Sequence, residues 1–468
     1  MSDSAVERSL GGASHVPLWL DSPARPAARP PLEGEHECDL AVVGAGFTGL
    51  WTALRALERG DAGSVVVLEA DRIASAASGR NGGFVEASLT HGLDNGVAHF
   101  PGEIDLLERL GRANLDAIQA AVEAEGIDCG FERTGAIDVA TAAWQLDALA
   151  ESAELSVAHG APAQLLDADS TRERVASPTY LGGLWRPAGT ALVDPARLAW
   201  GLASAAERRG GRIFERSPVH GLDSAGKGAL RLATPLGALL ARRVVLATSA
   251  FPPLVREIRR YVLPVYDYVL ATEPLGPDRL SEVGWKGREG LSDAGNQFHY
   301  YRLTPDDRIL WGGYDAVYHF GNAVSSRLEV RRRTFQLLAR HFFTTFPQLE
   351  GVRFSHAWGG AIDTCSRFCA FFGTAESGRV AYAAGFTGLG VGASRFAADV
   401  LVDLAFGAAS ERSGLDLVRS RPFPFPPEPL RSAAVGLTRW SLARADRHDG
   451  RRNAWLRLLD RLGIGFDS

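Results

Sequence analysis

The chain has 468 residues, 46% of them hydrophobic and 22% charged, with a formal net charge of −5. That length suggests two or three domains with ample material for a core, and the near-balanced charge argues against a nucleic-acid binder working through a basic surface. Four cysteines in so long a chain exclude a disulfide scaffold and suit a reducing compartment.

Lys227 and Lys286 are the only lysines, so 48 of the 50 basic residues are arginine; with 52 glycines this reads as coding bias. No run of roughly 18 uninterrupted apolar residues occurs, so no membrane span is expected. The start, Met1 to Arg8, carries early acids and no apolar stretch behind them, so it does not read as a secretory signal. The expected setting is the cytoplasm.

Residues 1–35, rich in Ala, Pro, Gly and Arg, read as an extended arm with Trp19 and Leu20 as anchors. Cys38 to Val43 is a short buried strand, Phe47 to Arg59 an Ala/Leu-rich helix, and Ser64 to Glu69 a second strand, together a βαβ unit on doubly covered parallel strands. Helical patterns dominate from Ile104 to Gly160, with a strand-like insert at Ala136 to Val139. Strand character returns at Gly211 to Phe214, Arg243 to Thr248, Tyr266 to Ala271, Phe298 to Leu303 and Arg308 to Gly312. One long helix is expected over Ser326 to Phe346, then a strand over Arg379 to Ala384 and a helix running to about Ala408. After Ser420 a proline-rich spacer precedes an amphipathic helix carrying Trp455, Leu456, Leu459 and Leu462. That helix packs over its own chain or, as the lesser alternative, on a membrane.

Gly44-Ala45-Gly46-Phe47-Thr48-Gly49 is a GxGxxG fingerprint placed between a strand and a helix. Gly44 permits the tight turn, Gly46 lets the backbone approach a pyrophosphate, and Gly49 brings helix and sheet close. The helix N-terminus offers free N–H groups and about half a positive charge to the phosphates. Glu69, 20 residues beyond Gly49, ends the next strand, where a carboxylate takes ribose hydroxyls. Two further glycine clusters, Ser78-Gly79-Arg80-Asn81-Gly82-Gly83 and Gly385-Phe386-Thr387-Gly388-Leu389-Gly390, lie far apart in the chain. Either alone could be a tight turn. Three separated clusters fit FAD, with AMP at the first, phosphates near the second and ribityl–flavin at the third.

The motifs VVGAGFTGL, VVVLEADRIASAASGRNGG, LPVYDYVLATEPL, ILWGGYD, HAWGG and AAGFTGLGVGASR resemble those of D-amino-acid-oxidase-type FAD-dependent amine oxidoreductases. The likeness is particular to the gamma-glutamylputrescine oxidase-like branch, which includes deaminating glycine-oxidase relatives, and it spans about residues 36–410. It implies an α/β fold: a glutathione-reductase-like Rossmann FAD-binding domain interleaved with an α+β substrate domain built on an antiparallel sheet. The implied boundaries are 36–90, 180–258 and 355–415 for the FAD domain, 91–179 and 259–354 for the substrate domain, and 416–468 for the C-terminal segment. By the same resemblance Gly44, Ala45, Gly46, Phe47, Thr48, Gly49, Glu69, Ala70 and Arg72 serve the AMP half. Ser78, Gly79, Arg80, Asn81, Gly82 and Gly83 follow the pyrophosphate and flavin edge. Val219 meets adenine, and Ala247 and Thr248 form a strand-end turn near the cofactor. Gly385, Phe386, Thr387, Gly388, Leu389 and Gly390 close over the flavin.

The implied chemistry is hydride transfer from the carbon beside an amine nitrogen to flavin, giving an imine that water hydrolyses, with oxygen reduced to hydrogen peroxide. The nitrogen must first be neutral. A primary ammonium sits ~3 units above pH 7, so deprotonation costs roughly 4 kcal/mol, part of which a poorly hydrated pocket supplies. Tyr300, Tyr301, Trp311, Trp358 and Phe386 fall in segments the resemblance places beside the flavin, and Tyr300, Asp315 and Trp358 are the substrate-pocket candidates. Asp315 could orient a cationic amine; a turn-forming or exposed aspartate is the other reading. His91, His299 and His356 read as structural. Cys365 and Cys369, without further paired cysteines nearby, carry no metal site.

The departures from the family pattern are informative. The lysine and arginine that clamp a substrate carboxylate in sarcosine-oxidase relatives fall at Gly392 and about Ala87. The flavin-facing lysine linked to oxygen activation falls at Trp311, and the cysteine tethering flavin falls near Gly359, which implies non-covalent FAD. These losses favour an amine whose acidic or polar group lies away from the reacting nitrogen. Three alternatives stay open: an amine dehydrogenase passing electrons to a quinone or carrier protein, a flavin-bearing subunit of a larger complex, and, disfavoured by GFTGLG lacking a Gly-Asp pair, an NADPH-dependent hydroxylase.

Overall fold

The computed structural model describes residues 2–226 and 228–464. The apolar run from Leu40 to Val43 is the buried end of a strand, Gly34–Val43, inside the first sheet. Val65–Leu68 and then Arg212–Phe214 lie to one side of it; Gly237–Leu246 and then Val380–Ala384 lie to the other, all parallel. Val65–Leu68 and Val380–Ala384 are buried at every residue, as strands covered on both faces require. Phe371–Ala375 adds an antiparallel edge.

Two helices of this domain set the geometry of the site. Phe47–Arg59 follows the first strand and Gly390–Phe406 follows Val380–Ala384. Arg55 pairs with Asp399 at 2.8 Å and Arg59 with Asp403 at 2.7 Å. Both partners advance by one helical turn together, so the helices run parallel. Their N-termini therefore share the edge where the parallel strands end.

The second sheet runs Val317–Tyr318, Leu263–Thr272, Ile309–Gly313, His299–Leu303, Gly290–Asp293, Ala136–Ala140, Gly182–Arg186 and Gln164–Asp167, with Phe354–Thr364 on the free side of Leu263–Thr272. It is antiparallel except where Gly290–Asp293 meets Ala136–Ala140. Side chains alternate across it. Tyr266, Tyr268, Tyr301 and Trp311 pack with Phe335, Leu338 and Phe342 of the helix Arg332–Thr345. Val269, Tyr300, Leu310 and Trp358 instead pack with the first sheet and its helices.

Several expectations are corrected. The first 35 residues form a strap, not a plain extended arm: Asp3–Leu10 is a helix capped by Ser2, tied to the helix Arg332–Thr345 by Glu7–Arg332 and Asp3–Arg340 pairs at 2.5 and 2.8 Å. Trp19 and Leu20 are indeed buried. The long helix expected over Ser326 to Phe346 is broken into Ser326–Leu328 and Arg332–Thr345. At the break Glu329 turns to Arg80, and Arg331 turns to Asp315 and Thr334. The tail forms two helices, Leu430–Asp446 and Ala454–Arg461, the first seated on the second sheet's connections through Arg431–Asn322, Arg439–Asp315 and Asp446–Asn296 contacts. Strand pairing also puts Gly182–Arg186 and most of Phe354–Thr364 in the second sheet, which therefore crosses the expected boundaries at 180 and 355. Among the described residues no helix is long and apolar enough to cross a membrane.

Candidate cofactor and substrate site

The fingerprint loop is built on close approach. Gly44 has φ of +103°, and a Cβ there would lie 2.5 Å from the Ala247 carbonyl oxygen. A Cβ on Gly49 would stand 1.9 Å from the Gly44 oxygen, so helix and strand can meet only through glycine. Gly46 begins the helix with no side-chain cap on its own part; the Ser78 hydroxyl reaches across and accepts the Phe47 N–H at 2.9 Å. The first two glycine segments are thereby joined. The Ala247 N–H donates to Val43 at 2.9 Å, which places the Ala247–Thr248 turn against the same loop.

Glu69 accepts the Ala45 N–H at 2.7 Å and the Asp71 N–H at 3.0 Å, and burial pushes its carboxyl above the usual range. Its carbonyl accepts the Ser217 N–H at 2.7 Å, which brings the Ser217–Val219 segment beside it. Arg72 is held 3.1 Å from Glu215 and donates to the Pro26 carbonyl of the strap at 2.6 Å.

In the second segment the Asn81 side chain donates to the carbonyls of Ala77 and Ser78 and accepts the Gly83 N–H. The Trp19 indole donates to the Asn81 carbonyl at 2.8 Å, and the Trp358 indole donates to the Arg80 carbonyl at 2.9 Å. Gly79 leaves no room for a side chain against Leu20. A Cβ on Gly82 would lie 2.8 Å from the Tyr300 ring.

The third segment is fastened by Asp363, a residue not singled out from the sequence. Its carboxylate accepts the Gly385 N–H at 2.7 Å, and its carbonyl accepts the Thr387 N–H at 3.1 Å. Ser249, just past the Ala247–Thr248 turn, bonds the same carboxylate, which burial raises to about 6. Thr387 sits at φ of +50°, a strained setting for a β-branched residue. Gly388 and Leu389 lead into the helix at Gly390, and Phe386 is buried. A Cβ on Gly392 would lie 2.2 Å from the Glu86 carbonyl oxygen, so no clamping side chain fits there.

On the facing sheet, Tyr300 donates its hydroxyl proton to Asp267 at 2.5 Å. Burial raises Asp267 to about 6 and drives the Tyr300 phenol well above its usual value. Among the described residues two arginines border this face, both engaged with backbone carbonyls. Arg302 donates to the Val193 carbonyl at 2.8 Å and is lowered by burial to about 10. Arg80 donates to Ser75 and Gly359 carbonyls and pairs with Glu329 at 2.8 Å.

Tyr300 and Trp358 thus lie on the face toward the glycine loops. Tyr301 and Trp311 do not: Tyr301 bonds Tyr180, and Trp311 packs into the core against Phe342, because strand alternation turns both to the opposite face. Asp315 is engaged by Arg331 at 2.5 Å, Arg439 at 3.1 Å and the Thr334 hydroxyl at 2.6 Å. His299 bridges Asp293 and His341, and His356 contacts Asp21. Sequence reasoning missed Asp267; the available signal was a lone acid between tyrosines in the apolar strand Leu263–Thr272.

These residues fit a long dinucleotide. Glycines that exclude side chains, two helix N-termini at one edge and a carboxylate closing the second strand are the groups an extended pyrophosphate cofactor needs. Fold and site together define a flavin-type dinucleotide-binding oxidoreductase. The profile of the FAD dependent oxidoreductase family, DAO, matches residues 39–404, and the chain belongs to that family. Its cofactor is FAD. The chain is similar to gamma-glutamylputrescine oxidoreductase of Escherichia coli K12, 33% identical over 394 residues covering 83% of this chain and 88% of the relative. The fold is similar to glycine oxidase from Bacillus cereus ATCC 14579, with TM-score 0.68 and 20% identity over 82% of this chain and 99% of that one. L-proline dehydrogenase from P. horikoshii matches with TM-score 0.67 and 18% identity over 81% and 96%.

Proposed function

We propose that this protein oxidises a primary or secondary amine whose acidic or polar group lies away from the reacting nitrogen, with oxygen as acceptor. The observation that carries this reading is the state of the arginines: Arg302 and Arg80 border the face toward the glycine loops but are engaged by backbone carbonyls and, for Arg80, by Glu329. No room exists at Gly392 for a further cation. A small amino acid held by its carboxylate has no clamp here, whereas a mono-acylated diamine, of which gamma-glutamylputrescine is one, needs none. FAD, held without a covalent bond, supplies the hydride acceptor when bound. The Gly44, Ser78 and Gly385 segments position it, and the N-terminus of Gly390–Phe406 favours negative charge nearby. Trp358, fully buried on the face toward the glycine loops, lowers the polarity there and so favours the neutral amine once its proton has left. Water then hydrolyses the released imine to aldehyde or ketone plus amine or ammonia. Four free, buried thiols suit the cytoplasm we infer for it.

A second reading, a dehydrogenase reducing a quinone or carrier protein, draws on the strand Ile309–Gly313. Its residues facing the dinucleotide domain are Leu310 and Gly312, neither of them a cation that would favour oxygen reduction. Steady-state turnover of diamines, acylated diamines, N-methylated amines and amino acids decides between them. The proposal expects peroxide equimolar with aldehyde from an acylated diamine; turnover only with an added dye shifts the assignment to the dehydrogenase, and preference for glycine contradicts both.

A further inference from the structure

We propose that Asp267 and Tyr300 form the amine-recognition site, in which Asp267 binds the substrate ammonium and accepts its proton before oxidation. This rests on the amine reading above and names the group that makes the nitrogen reactive. Asp267 lies midway along Leu263–Thr272, on the same face as Val269, and is neither fully exposed nor sealed. Its partners are the Tyr300 hydroxyl and the backbone N–H groups of Tyr268 and Gly313, none of which carries charge. A carboxylate so placed is short of a cation, and a primary or secondary ammonium is the cation this enzyme class brings.

Glycines fix where the Tyr300 ring sits. Gly312 and Gly82 both abut the Tyr300 ring, each so closely that a Cβ would lie 2.6 and 2.8 Å from it. Tyr300 therefore stands between the carboxylate and the flavin-edge loop. The proton step balances simply: an N–H bond breaks, an O–H bond forms on the carboxylate, and the electron pair stays on nitrogen. Tyr300 can relay, accepting the ammonium proton on its oxygen as it gives its own to Asp267.

The charged and titratable neighbours are few. Across the sheet, His299 weakly favours the ionised carboxylate. Across the ladder, Asp267 faces Gly360, over which Arg80 lies with its charge offset by Glu329. Burial lifts Asp267 to about 6, so it is ionised and ready to accept a proton at neutral pH.

The test compares wild type, Asp267→Asn and Tyr300→Phe, each checked for flavin content and melting temperature. The first readout is anaerobic flavin reduction by an acylated diamine; the second is the flavin spectral change caused by a trimethylammonium analogue of it, which cannot be oxidised. Asp267→Asn should keep its FAD, lose about 100-fold in reduction rate at pH 7 and no longer respond to the analogue. A fluorinated amine that is already neutral at pH 7 should be largely spared. Tyr300→Phe should fall less and still bind the analogue. Normal reduction and analogue binding in a folded, yellow Asp267→Asn overturn this proposal alone. Wild-type flavin that no amine bleaches overturns the amine reading and this proposal together.

Discussion

Glu69 shows how much one side chain does at this site. It braces the fingerprint turn through the Ala45 N–H, and in the proposed binding mode it takes the ribose hydroxyls. Glu69→Ala removes two acceptors, so FAD affinity should fall roughly 10–100-fold, read by fluorescence titration of the apoprotein; unchanged affinity would place the ribose elsewhere. Glu86 tests the electrostatics. Burial raises it to about 7 with Thr190 as its hydrogen-bond partner. A carboxyl raised on folding stabilises at low pH, and that contribution is lost as pH climbs from its unfolded value toward 7. Glu86→Gln should therefore gain on wild type as pH rises across that window, its melting temperature minus that of wild type increasing; a difference that stays constant or falls contradicts the assignment. The glycines of the three loops were legible from spacing because only glycine tolerates such approach. Asp267 was not, because its role depends on which strand lies opposite. Trp311 was misassigned for a related reason: a one-residue change of parity moves a side chain through the sheet.

Among the elements, the helix Phe47–Arg59 was readable residue for residue, with its glycine turn before it and Gly60 after it. The broken helix at Glu329–Arg331 was not, since the apolar pattern continues while distant charges at Arg80 and Asp315 pull the chain aside. Phe354–Thr364 escaped notice because its paired glycines, Gly359 and Gly360, make room for Tyr268 and Arg80 across the ladder. The N-terminal strap carries the clearest prediction here. Trp19 is 3% exposed, bonded to the Asn81 carbonyl and overlain by Arg302 at 5.7 Å. Trp19→Ala should cost about 3–5 kcal/mol and loosen FAD, measured by denaturant unfolding and by flavin loss on gel filtration. A strap that is mere decoration would leave both unchanged.

For the molecule as a whole, residues of the second sheet pack against the glycine segments, so FAD bound as proposed would join the two halves of the core. A hundredfold excess over its Kd should stabilise the protein by about 2.7 kcal/mol, seen as a higher Tm of holo over apo protein; identical melting would mean that the loops do not share one ligand. Domain class and cofactor could be read from the sequence because three glycine clusters are a local signal. The substrate could not, because on the proposed reading it turns on what Arg302, Arg80 and Asp267 contact across the two sheets, which no local motif records. Anaerobic mixing of the yellow protein with a mono-acylated diamine, followed beside an equal concentration of glycine, addresses the central claim most directly. The account predicts prompt, complete bleaching by the amine and little by glycine; bleaching by glycine in preference, or by neither, would contradict it.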